Sequence, residues 1–149
     1  MDNRDEVIAQ INEQISKQES NIKSVKSTIA RLESERITAL KYANEKFAKE
    51  LLPIIDALQN AQNLDVSGDE SAANVQKMIN ECVEKFIAAF KSAGIEEIND
   101  SGKFDPNFHN AIQMLEIPGK ESGDIVQVYQ KGYKYKDRVL RASMVVIAK

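Results

Sequence analysis

Side chains equipped for covalent or acid–base chemistry are scarce in this sequence. There is one histidine, His109, one cysteine, Cys82, and no tryptophan. A Ser-His-Asp relay would have to use His109, and no serine stands in a G-x-S-x-G turn that would strain it into a nucleophile. Gly102-Lys103 lacks the upstream glycine and the strand-to-helix setting of a phosphate-cradling loop. Zinc needs more Cys and His ligands than two isolated residues. Cys82 falls on the apolar face of a helical pattern, which predicts a small core residue rather than a reactive thiol. His109 follows Asp105-Pro106, which predicts that it orders that turn. The sequence therefore predicts no enzyme: no catalytic residue, no metal ligand and no cofactor.

Binding chemistry is better supplied. Phe104, Pro106, Phe108, Tyr129, Tyr133 and Tyr135 crowd into the C-terminal third, with Arg138 and Arg141 close by. Aromatic side chains with arginine are the usual anchors of protein interfaces. About half of these aromatics must instead build the core of so small a region.

The elements that position them follow from periodicity. From Gly94 to Lys149 the apolar period is two. Strands are expected at Ile95–Ile98, Ala111–Ile117, Ile125–Tyr133 and Val139–Ala148, in the last of which Leu140, Ala142, Met144, Val146 and Ala148 share a face. Ser101-Gly102, Asp105-Pro106, Pro118-Gly119, Ser122-Gly123-Asp124 and Lys134-Tyr135-Lys136-Asp137 mark the turns. Before this β region, Ile54, Ile55, Leu58, Ala61 and Leu64 form one helical stripe. Val75, Met78, Ile79, Cys82, Val83, Phe86, Ile87 and Phe90 form a second, over Ala72–Ala93. The acidic break Asp65-Val66-Ser67-Gly68-Asp69-Glu70-Ser71 separates the two helices of this hairpin, and Gly94 stands where a C-terminal helix cap places glycine.

The first third carries a heptad repeat. One seam position reads Ile8, Ile15, Ile22, Ile29, Arg36, Ala43, and the other Ile11, Gln18, Val25, Leu32, Ala39. A stripe this narrow asks for a second helix, and β-branched residues at the first position with Leu or Val at the second favour a parallel pair. Dimerisation is thus expected through Ile8, Ile11, Ile15, Ile22, Val25, Ile29 and Leu32. No Pro or Gly precedes Pro53, where a kink or a fresh helix start is expected. The expected architecture is α+β in three parts. Residues 1–52 form a long parallel coiled-coil helix. Residues 53–93 form a helical hairpin that makes a four-helix bundle in the dimer, and 94–149 form a small all-β domain.

Composition narrows the partners. The net charge of -3 gives no basic field to draw the chain to nucleic acid or an anionic membrane. A single cysteine allows no intramolecular disulfide. The acidic start Met1-Asp2-Asn3-Arg4-Asp5-Glu6 does not resemble a signal peptide, and no apolar run is long enough for a membrane span. The expectation is a cytoplasmic protein with no nucleic-acid and no membrane partner.

The run Phe104-Asp105-Pro106-Asn107-Phe108-His109-Asn110-Ala111-Ile112, then Gly132-Tyr133, Asp137 and Leu140-Arg141-Ala142-Ser143-Met144-Val145-Val146-Ile147, resembles the C-terminal signature of the GrpE family. Leu51-Leu52-Pro53-Ile54-Ile55-Asp56-Ala57-Leu58 and Phe90-Lys91-Ser92-Ala93-Gly94-Ile95 match it in order and spacing. Asn110 and Ala142 depart from it, standing where many members have an acidic residue and a proline. The resemblance implies a homodimeric nucleotide exchange factor whose β-wing binds the ATPase domain of a DnaK-type chaperone. It opens the nucleotide cleft so that ADP leaves. The resemblance further implies chaperone contacts through Phe104, Pro106, Tyr129, Arg138 and Ile147, and a hinge at Gly94. The alternative is a coiled-coil adaptor with a β recognition domain and no effect on nucleotides.

Overall fold

The structure, a computed structural model, describes residues 3–65, 68 and 70–149. Met1 and Asp2 of the acidic start, and Val66, Ser67 and Asp69 of the acidic break, lie outside the described residues. The chain divides into two compact units, Met1–Ala43 and Asn44–Lys149.

The first unit is one helix, α1 (Asn3–Lys41), which buries no side chain. Its seam stays about half exposed: Ile8 55 %, Ile15 50 %, Ile22 52 % and Leu32 51 %. With 39 residues at the α-helical rise, α1 extends over about 58 Å.

In the second unit, α2 (Glu45–Gln62) and α3 (Glu70–Ser92) pack as a hairpin around Ala48, Leu52, Ile55, Val83 and Phe90. The helical interruption expected at Pro53 falls instead at Tyr42–Asn44, and Pro53 lies inside α2. Pro53 is exposed on α2, where it removes one ladder donor, the one that would reach the Lys49 carbonyl. At the actual break the i→i−4 ladder gives way after the Tyr42 N–H bond to the Thr38 carbonyl, and Ala43 N–H reaches the Leu40 carbonyl instead. Asn44, of a residue type that favours helix boundaries, is the one local signal.

The β region holds six strands: β1 (Ile95–Glu97), β2 (His109–Leu115), β3 (Ile125–Gln130), β4 (Tyr133–Tyr135), β5 (Arg138–Arg141) and β6 (Ser143–Ala148). They form two three-stranded sheets, ordered β1-β4-β5 and β2-β6-β3. The first is antiparallel throughout. In the second, β6 runs parallel to β2 and antiparallel to β3. Two of the expected strands are therefore each split between sheets: Ile125–Tyr133 breaks at Lys131-Gly132, and Val139–Ala148 breaks at Ala142. The period-2 alternation runs through the second break, so nothing local marks it, whereas at the first Gly132 comes after Gln130, where the apolar face stops. Close approach of the two crossings marks both: Gly132 N–H donates to Ser143 Oγ at 2.8 Å, and Ile98 N–H donates to the Gly132 carbonyl at 2.9 Å. Among the described residues no helix is long and apolar enough to cross a membrane.

Gly94 ends α3 with φ +83°, and its carbonyl accepts the Lys136 N–H at 2.8 Å. A Cβ there would meet Lys136 Cγ at 3.5 Å, an ordinary contact, so backbone conformation rather than space requires glycine. Gly94→Asp is expected to lower stability by about 1 kcal/mol, the left-handed penalty for an L-residue. Chemical denaturation checks this; an unchanged midpoint would contradict it.

Candidate functional site

The loop before β2 is tied down along its length. Phe104 N–H donates to the Gly123 carbonyl at 2.8 Å, and Ile125 N–H to the Gly102 carbonyl at 2.9 Å, joining the loop to the start of β3. Asp105 closes an Asx turn: its Oδ1 accepts Asn107 N–H at 2.8 Å, and its carbonyl accepts the N–H groups of Phe108 and His109. His109 is buried, and its Nδ1 accepts Asp105 N–H at 2.9 Å. That bond assigns the imidazole proton to Nε2, which faces Asp100 Oδ1 at 3.4 Å. His109 therefore orders the turn, as its position in the sequence suggests. The turn leaves Pro106 exposed and Phe104 half-buried, 6.0 Å from the imidazole.

The other residues expected to touch a partner are distributed unevenly. Tyr129 on β3 is 61 % exposed. Ile147 is only 6 % exposed and pairs with Met114 on one side and Ile125 on the other. It holds the sheet together, and its buried side chain has little area to give a partner. Arg138 lies on the other sheet, where its guanidinium meets Glu45 of α2 at 3.0 Å. Sheet β2-β6-β3 thus carries Tyr129 and the Phe104–Pro106 loop, while Arg138 sits against the helix.

Two polar clusters that sequence reasoning did not find join α2 to the sheets. In the first, Glu97 receives Lys131 Nζ at 3.1 Å and the Tyr133 hydroxyl at 3.2 Å, and Gln59 Nε2 reaches both Glu97 and Tyr133. Burial, and then the adjacent Glu97 carboxylate, push the Tyr133 hydroxyl above its ordinary range, so it remains a donor. In the second, Asp56 receives both terminal nitrogens of Arg141, at 2.6 and 2.7 Å, and Gln130 Nε2 at 2.8 Å. Glu45, Asp56 and Gln59 are spaced by eleven and three residues, which places them on one face of α2. A carboxylate beside the apolar Ile54-Ile55 pair and an arginine inside an alternating strand are the sequence signals that could have found them.

The helical hairpin also leaves apolar residues uncovered. Phe47 and Ile54 are seven apart on α2, and Val75 and Met78 share a face of α3; all four are about half exposed or more. Cys82, expected in the core, is exposed on that same face of α3. Its neighbours on the stripe are apolar, but the side of α3 that packs on α2 is the one bearing Val83 and Phe90.

A long unburied heptad helix, a two-helix hairpin with a spare apolar stripe and a β region of two small sheets define an α+β protein. The chain belongs to the GrpE family, whose model matches residues 1–149. It is similar to Protein GrpE of Campylobacter fetus subsp. fetus, at 54 % identity over 119 residues, covering 80 % of this chain and 69 % of the relative. It is also similar to those of Sulfurimonas denitrificans, at 46 % over 121 residues (79 % and 65 %), and Helicobacter acinonychis, at 50 % over 119 residues (80 % and 63 %). The matched region spans about two thirds of the length of these relatives.

Proposed function

We propose that the chain is a homodimeric co-chaperone that binds the ATPase domain of a DnaK-type chaperone and accelerates ADP release. The observation that carries this reading is the match of the whole chain to the GrpE family, and the structure supports it with an ordered loop and an exposed Tyr129 on one sheet. Pairing occurs through the α1 seam and the spare stripes of α2 and α3, in a four-helix bundle. Phe104, Pro106 and Tyr129 form the docking surface. Arg138 joins it by leaving Glu45, an exposed ion pair of the kind that contributes little.

Exchange then needs no bond-making group. A partner that binds the open nucleotide cleft more tightly than the closed one shifts the population toward open by the ratio of the two affinities. ADP leaves faster because the open state is more often occupied.

Release of labelled ADP from the chaperone, measured by stopped flow, tests this. The chain is expected to accelerate release, and Tyr129→Ala to raise the half-saturating concentration about tenfold or more, as for an aromatic interface anchor. No acceleration at saturation would rule out the exchange reading and leave the adaptor. An unchanged half-saturation would remove Tyr129 from the docking surface.

A further inference from the structure

We propose that the Asp56–Arg141 pair is a latch that fixes the angle of sheet β2-β6-β3 on α2, making both of them positioning residues for docking. The inference rests on the exchange reading only for its functional consequence.

The topology creates something that needs fixing. The chain passes between the two sheets at Lys131-Gly132 and again at Ala142, and these two short crossings lie side by side. The remaining connection is the loop from β1 to β2. Two adjacent short crossings are the arrangement of a hinge, whose few residues absorb a change in backbone angle. Beside the hinge, a cleft of about 460 Å³ separates Asp56, Gln59, Asn60 and Asn63 of the α2 end from Val128 and Tyr129 of β3. Packing therefore does not wedge the sheet against the helix on that side.

Asp56 spans the gap. Its carboxylate takes the fork of Arg141 from the end of β5 in one sheet and the Gln130 amide from the end of β3 in the other. Arg141 Nη2 also donates to the Lys131 carbonyl at 2.7 Å, on the first crossing. One carboxylate thus holds the helix, both sheets and, through Arg141, the hinge itself. Both side chains are about one-fifth exposed, where an ion pair adds less to stability than well-packed apolar groups of the same size. What the bidentate fork does supply is direction. The sheet so aimed is the one that carries Tyr129 and the Phe104–Pro106 loop.

The test uses the full chain in a Cys82→Ser background, with spin labels on Glu50→Cys of α2 and Gln127→Cys of β3, both exposed positions. Pulsed electron resonance, on labelled chain diluted into an excess of unlabelled chain so that a dimer carries one labelled protomer, is expected to give one narrow distance without further substitution, and a broad distribution in Asp56→Asn. Arg141→Lys keeps the charge but loses the fork, and is also expected to broaden it. Narrow distributions in both variants would overturn the latch, whatever the nucleotide data say. In ADP release, a sheet aimed correctly about one-tenth of the time raises the half-saturating concentration about tenfold and leaves the saturated rate unchanged. A lowered saturated rate with unchanged half-saturation would overturn the positioning role. If the unsubstituted chain accelerates nothing, the exchange reading fails while the distance measurements still decide the latch.

Discussion

Gly132→Ala is expected to destabilise the second unit by roughly 3 kcal/mol or more, at the upper end of what overpacking a tight site costs. A Cβ at Gly132 would lie 2.4 Å from the backbone nitrogen of Ser143, 2.6 Å from its Oγ and 2.7 Å from Ile98 Cδ1. Backbone cannot swing aside as a flexible side chain does. Relief must come from separating the two crossings, which breaks the Gly132 N–H bond to Ser143 Oγ and leaves a buried donor unpaired. Ile98 is buried and its N–H depends on the Gly132 carbonyl, so the damage reaches the start of the β region as well. For a unit of this size the melting temperature should fall by more than about 10 °C. Differential scanning calorimetry measures it, and a melt within a few degrees of the unsubstituted chain would show that the crossings are looser than the geometry requires.

The same crossings mark the limit of what the sequence reveals. Ile8 through Leu32 announce a long helix with an apolar seam because the seam repeats locally, every three or four residues. The turn ordered by His109 is legible for the same reason, since all its bonds fall within Asp105–His109. The Asp56–Arg141 pair joins residues 85 positions apart, and no periodicity predicts which arginine meets which carboxylate. Ile147, a contact that the resemblance implies, has a buried side chain that alternation does not foretell. Its strand alternates properly, but β6 is the central strand of its sheet, flanked by β2 and β3, so both faces and both edges are largely covered. Alternation tells which residues share a face and is silent about whether the other face is also buried. Pro53 starts no new helix and lies inside α2, while the turn falls at Tyr42–Asn44.

Both polar clusters stand where α2 meets the sheets, and they divide the labour. Glu97, Gln59 and Tyr133 tie α2 to sheet β1-β4-β5 alone, with Tyr133 nearly inaccessible and its ring edge-on to Phe90 at 5.9 Å. That sheet is welded to the hairpin by apolar packing as well as hydrogen bonds. Among the described residues sheet β2-β6-β3 shows no comparable packing on the hairpin, and side-chain bonds at its margin aim it. The proposed docking surface, on the less firmly held sheet, can be redirected by small changes at its base, which is why substitutions near Asp56 should affect partner affinity more than folding.

Ile15→Lys combined with Ile22→Lys is expected to convert the proposed dimer to monomer at micromolar concentration. Both side chains are about half exposed in the single chain and project from successive heptads of the same seam position. In a parallel pair each position faces its own counterpart, so the two substitutions remove four isoleucines from the interface. At about 1.5–3 kcal/mol for each side chain buried, the loss is roughly 6–12 kcal/mol before any repulsion between the introduced lysines. Since every 1.4 kcal/mol is a factor of ten, the dissociation constant should weaken by at least about four orders of magnitude. The spare stripes of α2 and α3 remain and favour the dimer at high concentration, so sedimentation equilibrium over a concentration series is the informative measurement. Helicity at 222 nm should fall in parallel, because α1 buries none of its own side chains and an isolated helix without packing is marginal in water. A variant that stays dimeric at low micromolar concentration with undiminished helicity would place the pairing entirely in the hairpins and leave the α1 seam without a role in it.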